Sequence, residues 1–356
     1  MADSRKRNTE LSRNTPARIK DIADDLGISV AAVSRALRNR GETSPETRAL
    51  VLKRAAELNY RPNLVARALV TGRTGLVGLV VPDLVHSFFA ELALGLSGVL
   101  RKSGFNLVVA SSEEDAELER EEIDRLLARG VDALLVASTQ PTAATFTEVA
   151  HRHIPCVLLD RQFPGETAHF VGVNDVKVGE LATEHLIAIG CRRIAHIRGT
   201  GVSTARERYE GYAGTLARHR MSLKEEYVVT VPRLDRGSSD GGYAAAKQLL
   251  QCHPPPDAIF CCNDPTGMGA MEAILDAGLR IPEDIALIGC GNLHFGKALK
   301  VPLSSIDQQT EALGARAAEL AIRLVETEGH IPPKKILLEP SVIMRKSTDR
   351  RAARVN

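Results

Sequence analysis

Two short amphipathic helices are predicted near the start of the chain. The apolar positions of the first recur at the i, i+3, i+4, i+7 spacing of one helix face: Ile19, Ile22, Ala23 and Leu26. Gly27 supplies the left-handed residue that commonly ends a helix, and Ser29 can cap the next one. The second helix turns Val33, Ala36 and Leu37 inward. Because only Gly27 and Ile28 separate the helices, they must meet at a sharp angle.

A third helix completes a small bundle. It begins at Ser44-Pro45-Glu46, a capping serine followed by proline at the first helical position, and its apolar stripe is Val51, Ala55 and Leu58. We therefore predict a helical domain over residues 18–61. Residues 1–17 lack apolar periodicity and predict a mobile basic tail, and residues 62–74 predict a linker that includes two helical turns.

From Leu76 onward, apolar runs of strand length alternate with helical segments. The predicted strands are Leu76-Val81, Phe105-Val109, Ala133-Val136, Cys156-Leu159, Arg193-Ile197, Ala258-Cys261 and Ile285-Ile288. The predicted helices are Phe88-Lys102, Ala116-Arg129, Val176-Ile189, Thr204-His219, Gly242-Leu250 and Gly267-Ala277. This alternation is typical of parallel sheets with helices on both faces. The units are too many for one sheet, so we expect two Rossmann-like lobes with a ligand cleft at the carboxyl ends of their strands.

Composition narrows the class of protein. The 356 residues are 44% apolar and 25% charged, as in ordinary globular proteins. No apolar run of about 18 residues and no signal peptide is evident, which predicts a cytoplasmic protein. The six cysteines are dispersed without zinc-binding spacing, so we expect buried thiols and neither a metal nor a cofactor. Cys252-His253 could hold a metal, but no second ligand pair lies nearby.

The charge is distributed unevenly. Residues 1–72 carry a net charge of +6, whereas the remaining residues carry −4. A basic head on a mildly acidic body favours contact with a polyanion, although a merely solvated surface gives the same count.

The first two helices together have the spacing of a helix-turn-helix. The outward face of the second helix carries Ser29, Val30, Ala31, Ser34 and Arg35. Arg35 can give two hydrogen bonds to a guanine, and Val30 or Ala31 can contact a thymine methyl group. An ordinary helical hairpin is the alternative interpretation.

The chain resembles the LacI family of bacterial transcriptional regulators over about residues 18–346. The matching motifs include Asp21-Ile22-Ala23, Val33-Ser34-Arg35-Ala36-Leu37, Leu58-Asn59-Tyr60-Arg61-Pro62-Asn63, Val65-Ala66-Arg67-Ala68-Leu69, Arg208-Tyr209-Glu210-Gly211-Tyr212 and Gly278-Leu279-Arg280-Ile281-Pro282-Glu283-Asp284-Ile285. The resemblance implies a DNA-binding head, a hinge helix and a core similar to the type I periplasmic sugar-binding proteins. It also implies a homodimer, which on DNA matches a near-palindromic operator.

The resemblance assigns the DNA-binding residues. They are Lys20, Ser29, Val30, Ala31, Ser34, Arg35 and Tyr60 in the head, with Asn63, Ala66 and Leu69 in the hinge. Leu69 matches the residue that inserts into the minor groove and kinks the duplex. The unstacking of bases costs roughly a few kcal/mol, which is offset by the contacts that the bend allows. Without the resemblance, Leu69 would be interpreted as linker packing. We expect Leu69→Ala to weaken specific operator binding far more than non-specific binding.

The resemblance also assigns effector-binding residues, and for some of them a purely structural role is the alternative interpretation. They are Phe88, Phe89, Asp160, Arg161, Arg208, Asn263, Asp264, Asn292 and Gln308. The phenylalanines could instead be core residues, and Asp160 and Arg161 a surface ion pair. Gly291 stands where many relatives have an aspartate, and Gly237 stands near the position at which some relatives have a stacking aromatic residue. We expect a sugar or a sugar acid as the effector. Without that aspartate the two cleft arginines would face fewer carboxylates than in those relatives, which makes an anionic effector more plausible.

The expected core spans residues 75–346. Its first lobe is about 75–174 and 308–335, and its second is about 175–307 and 336–346. Residues 347–356 form a basic tail without a heptad repeat, which favours a dimer over a tetramer.

The predicted function is regulation of transcription, most simply repression, by an effector that changes operator affinity. The sign of that change is left open. A periplasmic solute-binding protein would lack the head, and an α/β enzyme would need a motif such as a P-loop, a GxGxxG turn or a GxSxG elbow. No such motif is found, so no enzymatic activity is expected.

Overall fold

The computed structural model describes residues 17–37, 43–61, 68, 72–165, 167–233, 235 and 237–350. The chain divides into two compact units between Thr74 and Gly75. The predicted hinge positions Asn63, Ala66 and Leu69 lie outside the described residues, as do residues 1–16 and 351–356 of the predicted tails.

The first unit is the predicted three-helix head. Its helices are α1 (Ile19–Leu26), α2 (Val30–Leu37) and α3 (Pro45–Glu57). Gly27 is left-handed with φ 64°, and the Ser29 hydroxyl accepts a hydrogen bond from the Ala32 amide at 3.1 Å. The predicted inward residues form one cluster, in which Ile22, Val33 and Val51 are fully buried. The caps that the sequence predicts at Gly27 and Ser29 are confirmed here.

The second unit contains two sheets, each with six strands among the described residues. The first sheet has the order β11-β5-β4-β3-β1-β2, all parallel, with β1 at Leu76–Val81, β2 at Asn106–Ser111, β3 at Ala133–Val136, β4 at Cys156–Leu159, β5 at His169–Val173 and β11 at Lys335–Leu338. The second has the order β12-β10-β9-β8-β6-β7, with β6 at Ile194–Arg198, β7 at Val228–Thr230, β8 at Ala258–Cys261, β9 at Ala286–Cys290, β10 at Ser304–Asp307 and β12 at Ser341–Ile343. Only the edge strand β12 is antiparallel to its neighbour.

Helices cover the faces of both sheets. They are α4 (Ser87–Lys102), α5 (Ala116–Ala128), α6 (Ala144–His151), α7 (Asp175–Ala188), α8 (Ser203–Arg218), α9 (Ser238–Leu250), α10 (Asp264–Asp276) and α11 (Thr310–Glu326). Strands β3, β8 and β9 are buried along their whole length, as expected of parallel strands that are covered on both faces. The two predicted α/β lobes are confirmed.

The chain passes between the lobes three times: after β5, after β10 and after β11. The last passage differs from the sequence expectation. The sequence predicts residues 336–338 in the second lobe, but Lys335–Leu338 pairs with β5 of the first sheet. The first lobe therefore continues to Leu338, and the chain from β12 to Arg350 returns to the second lobe. The prediction that the basic tail begins at residue 347 is wrong, because Ser347 and Thr348 are buried there and the Ser347 hydroxyl donates to the Leu287 carbonyl oxygen of β9 at 2.6 Å. Among the described residues, no helix is both long enough and apolar enough to cross a membrane.

Candidate functional site: a polar cavity between two lobes and a helix-turn-helix head

A cavity of about 320 Å³, including its open mouth, lies where the carboxyl ends of strands from both sheets face one another. The first lobe contributes His86, Phe88, Phe89 and Asp160, and the second contributes Thr204, Arg208, Asp235, Asn263 and Cys290. Gln308, which follows β10 at the passage between the lobes, completes the lining. Strand ends of parallel sheets are the expected place for a ligand in this architecture.

Close packing of two helices sets the position of Arg208. A Cβ built on Gly179 of α7 would lie 2.1 Å from the carbonyl oxygen of Arg208, and one on Gly211 of α8 would lie 2.0 Å from that of Val176. These helices therefore approach each other where neither has a side chain. The approach brings Arg208 next to Asp175, whose Oδ1 accepts a hydrogen bond from the guanidinium Nε at 2.7 Å.

The Arg208 side chain is held on two sides. Its Nη1 donates to the carbonyl oxygen of Cys262 at 2.6 Å, at the end of β8, while Asp175 holds the opposite edge. Arg208 is 4% exposed, so this orientation is fixed within the cavity wall. A guanidinium held in this way can still present its remaining donors to a ligand.

Asp160 and Arg161 follow β4 at a strained turn. Asp160 has φ 60°, in the left-handed region that aspartate tolerates better than most residues. Its carboxylate lines the cavity, and burial raises its pKa, an effect that Arg208 and Arg161 oppose. Arg161 turns toward the second lobe, where it forms an ion pair with Asp235, and it also donates to the Ser138 carbonyl at 3.3 Å. The surface ion pair considered for these two residues is excluded, because both are buried.

Aromatic residues form the first-lobe wall. Phe88 and Phe89 make an edge-to-face pair with centroids 5.1 Å apart, and both are at most 4% exposed. They are core residues, as the alternative interpretation has it, and they also line the cavity. His86 accepts a hydrogen bond from the Phe88 amide through Nδ1 at 3.3 Å. The neutral imidazole then carries its proton on Nε2, which faces Asp235 at 3.9 Å.

Three cavity-lining side chains carry buried polar atoms that have no hydrogen-bond partner among the described residues. These atoms are His86 Nε2, Thr204 Oγ1 and Gln308 Nε2. Buried polar atoms are nearly always paired, so a cluster of unpaired ones at a cavity indicates that a polar ligand completes them. A hydroxyl group, which both donates and accepts, satisfies any of the three.

Three residues expected to bind the effector do not line the cavity. Asp264 is fully buried beneath it and accepts hydrogen bonds from Ser305 Oγ at 2.6 Å and the Leu293 amide at 2.8 Å. Burial raises the pKa of Asp264 to about 6. Asn292 turns away, because its Oδ1 accepts from Arg345 at 2.6 Å. Arg161 lies behind Asp235 rather than at the wall.

The expectation that the cleft arginines face few carboxylates is wrong. Asp175 is bound to Arg208, Asp235 is bound to Arg161, and Asp160 is near both guanidinium groups. Three carboxylates therefore surround two arginines. The charge balance no longer favours an anionic effector.

Sequence reasoning missed His86, Asp235, Thr204 and Cys290 as cavity residues. Thr204 and Cys290 lie at a helix start and a strand end, which is a positional signal, whereas Asp235 lies in a loop that no motif marks. Burial raises the pKa of the Cys290 thiol, which therefore forms a neutral part of the wall.

The head presents the predicted DNA-reading face. Lys20, Val30, Ala31 and Arg35 are exposed, and Val30 is 43% exposed although apolar. Ser29 is exposed while capping α2, and Ser34 is half-buried. Tyr60 is also half-buried, because its ring packs against the core of the head.

Comparison with known proteins matches a family model to each of the two units. The family model described as bacterial regulatory proteins, lacI family, matches residues 18–63, and that of the periplasmic binding protein-like domain matches residues 183–348. The ribose operon repressor of Halalkalibacterium halodurans is 33% identical over 328 residues, covering 90% of this chain and 96% of that protein. The transcriptional repressor PurR of Pasteurella multocida is 30% identical, covering 94% and 99%.

Solved structures of related regulators match this chain over nearly its whole length. The lac repressor dimer bound to operator and the anti-inducer ONPF has a TM-score of 0.80 at 26% identity, covering 94% of this chain and 99% of that one. A complex of the transcriptional regulator CelR with cellobiose has a TM-score of 0.70 at 29% identity, covering 93% and 99%. These relatives are transcriptional regulators rather than enzymes, and the chain belongs to the lacI family of bacterial regulatory proteins.

Proposed function

We propose that this protein is a sequence-specific repressor whose operator affinity is changed by a small uncharged sugar bound between the lobes. The observation that supports a sugar ligand is the polar lining of the cavity, where His86 Nε2, Thr204 Oγ1 and Gln308 Nε2 are buried without hydrogen-bond partners among the described residues. Donors and acceptors lie around one space, as the hydroxyls of a sugar require. The family membership carries the DNA-binding role.

The names of the relatives support a sugar. One is a repressor of a ribose operon, and one solved neighbour holds cellobiose. Our proposal favours a neutral sugar over a sugar acid, because Asp160, Asp175 and Asp235 already balance the two arginines. An added carboxylate would have to compete with these residues for the guanidinium groups.

Operator recognition is proposed for the exposed face of α2. Arg35 reads a guanine, and Val30 and Ala31 contact the groove floor, while Lys20 and Tyr60 contact the backbone. Asn63, Ala66 and Leu69 act as the hinge that enters the minor groove. We place the two heads of a dimer on a near-palindromic operator in the cytoplasm, and the solved lac repressor dimer, which is bound to operator, supports a dimer on DNA.

The proposed coupling follows from the three chain passages between the lobes. Sugar binding changes the angle between the lobes, and this changes the separation of the two hinges in the dimer. Such coupling free energies are about 1–3 kcal/mol, or about 5- to 150-fold in affinity.

Selection of bound duplexes from a random DNA library tests the proposal. The full chain is used with and without a pool of neutral sugars, and an Arg35→Ala variant is the control. We expect one near-palindromic sequence to be enriched by the wild-type chain, with enrichment changed by the pool. Enrichment of no sequence at low salt, where non-specific binding is strongest, would contradict the DNA-binding role.

A further inference from the structure

Asp235 reaches from the second lobe into contact with the first. It lies between β7 and α9, is 7% exposed, and forms an ion pair with Arg161, which follows β4 of the first lobe. Its backbone amide donates to Glu114 Oε1 at 3.2 Å, a second contact with the first lobe. The carboxylate is thereby fixed at the cavity wall by groups outside the cavity.

Only one oxygen of Asp235 is used by Arg161. Oδ2 accepts from the guanidinium, whereas Oδ1 faces His86 Nε2 at 3.9 Å. That distance is too long for a hydrogen bond, and His86 Nε2 has no other partner among the described residues. A hydroxyl oxygen placed about 2.8 Å from both atoms fits between them, donating to Oδ1 and accepting from Nε2–H.

Gly291 stands where many relatives have an aspartate, but the backbone of this chain does not suit an aspartate at that position. Gly291 has φ 126°, a conformation that side chains rarely adopt. A Cβ there would lie 3.3 Å from Leu293 Cγ and 3.6 Å from the Asp264 carboxylate. An aspartate at this position would be strained and would face a like charge. Asp235 is the carboxylate that the second lobe places at the cavity instead.

We infer that Asp235 determines ligand specificity by accepting a hydrogen bond from a hydroxyl of an uncharged sugar and excluding the acid form of the same sugar. The inference rests on the proposed function and names the residue that selects the ligand class. The exclusion arises because a ligand carboxylate near Oδ1 would meet a fixed negative charge whose guanidinium partner is already engaged.

Calorimetric titration of the full chain tests this inference. The probes are D-ribose, D-xylose, D-glucose and D-galactose, each paired with its aldonic acid. The variants are Asp235→Asn, which keeps the shape but removes the charge, and Asp235→Glu, which keeps the charge. Asp240→Asn is the matched control, because Asp240 is an exposed carboxylate in the first turn of α9. Thermal unfolding of each variant reports whether it is folded.

We expect wild type and Asp240→Asn to bind one neutral sugar at least tenfold more tightly than its acid. Asp235→Asn should weaken binding of the neutral sugar by about ten- to a hundredfold, as for a lost hydrogen bond to a charged group, and should abolish the discrimination. Asp235→Glu should retain the discrimination even if its affinity falls, which separates charge from packing.

Equal affinities of wild type and Asp235→Asn for the neutral sugar would overturn the inference, as would preference of the wild type for the acid. Binding of none of the eight probes would overturn it too, because the ligand class would then be wrong. Failure of the proposed DNA-binding role is distinct from these outcomes: it would appear as absence of a selected operator.

Discussion

Individual residues of the cavity are oriented by partners that lie outside it. Arg208 is held by Asp175 and the Cys262 carbonyl oxygen, and Asp235 is held by Arg161. Such fixed polar groups lose little conformational freedom when a ligand arrives, which favours affinity. The motif positions Phe88, Asp160 and Arg208 could be predicted from the sequence. Asp235 could not, because its role depends on pairing with a residue of the other lobe.

The first prediction at the residue scale concerns Arg35. Arg35→Ala should cost about 1–3 kcal/mol in operator binding and relax the preference at one base pair in each half-site, because a bidentate contact to guanine is lost. Binding to operators with each base pair replaced in turn measures this. Lys53→Ala, at an exposed position of α3, is the control. An equal loss on every operator sequence would mean that Arg35 contacts only phosphate.

The second residue-scale prediction concerns His196 of β6. Its ring stacks on Phe260 with centroids 4.5 Å apart, its Nδ1 donates to the Phe260 carbonyl at 2.9 Å, and burial lowers its pKa to about 3. The folded state therefore binds this proton less readily than the unfolded state does. We expect the contribution of His196 to the free energy of unfolding to fall as the pH drops below about 6.5, with the loss continuing toward pH 3.

Nuclear magnetic resonance of nitrogen-labelled histidine measures this directly. The His196 signals should remain those of a neutral ring from pH 8 to pH 5. A titration of that signal with a midpoint near 6.5 would show that the ring is accessible to solvent.

At the scale of elements, glycine pairs let helices pack without intervening side chains. Gly179 and Gly211 join α7 to α8, Gly242 and Gly269 join α9 to α10, and Gly95 and Gly314 join α4 to α11; in each case a Cβ would lie 2.2 Å or less from a backbone oxygen. Because Arg208 and Asp175 lie one turn from the first pair, this packing also forms their ion pair. The alternation of strands and helices was predictable, but these contacts were not, since they join segments distant in sequence.

Two of the strands missed by sequence reasoning, β7 and β11, lie at sheet edges and share a physical reason. Strand β11 alternates exposed and half-buried residues, and β7 has three residues at a sheet edge. Neither presents the continuous apolar run that marks a strand of a parallel sheet. Helix α11 is long and amphipathic, but it follows the passage into the first lobe, a stretch in which the sequence motifs mark only Gln308.

Two alanine substitutions on α8 test the helix contact. Gly211→Ala should lower the free energy of unfolding by about 1–3 kcal/mol or more, because a methyl group would overlap the Val176 carbonyl and the backbone of α7. Gly214→Ala should be neutral or stabilise by up to about 1 kcal/mol, since its nearest neighbour is the flexible end of Arg218 at 3.7 Å. Urea unfolding measures both. Equal effects of the two substitutions would refute the close contact.

On the scale of the whole molecule, the chain passes three times between two lobes that share one cavity. A ligand that contacts both lobes therefore acts on their relative angle, and in the function proposed above this change reaches DNA through the helix-turn-helix head. The two-lobe architecture was predictable from the number of strand-helix units. The passage after Leu338 was not, because short strands of similar composition can join either sheet.

Reciprocal linkage tests the central claim most directly. The affinity for the selected operator is measured by fluorescence anisotropy with and without the bound sugar, and the affinity for the sugar is measured with and without operator. The account predicts that each ligand changes the affinity for the other by the same factor, between about 5- and 150-fold, because both act on one equilibrium. Operator and sugar that bind without affecting each other would contradict it.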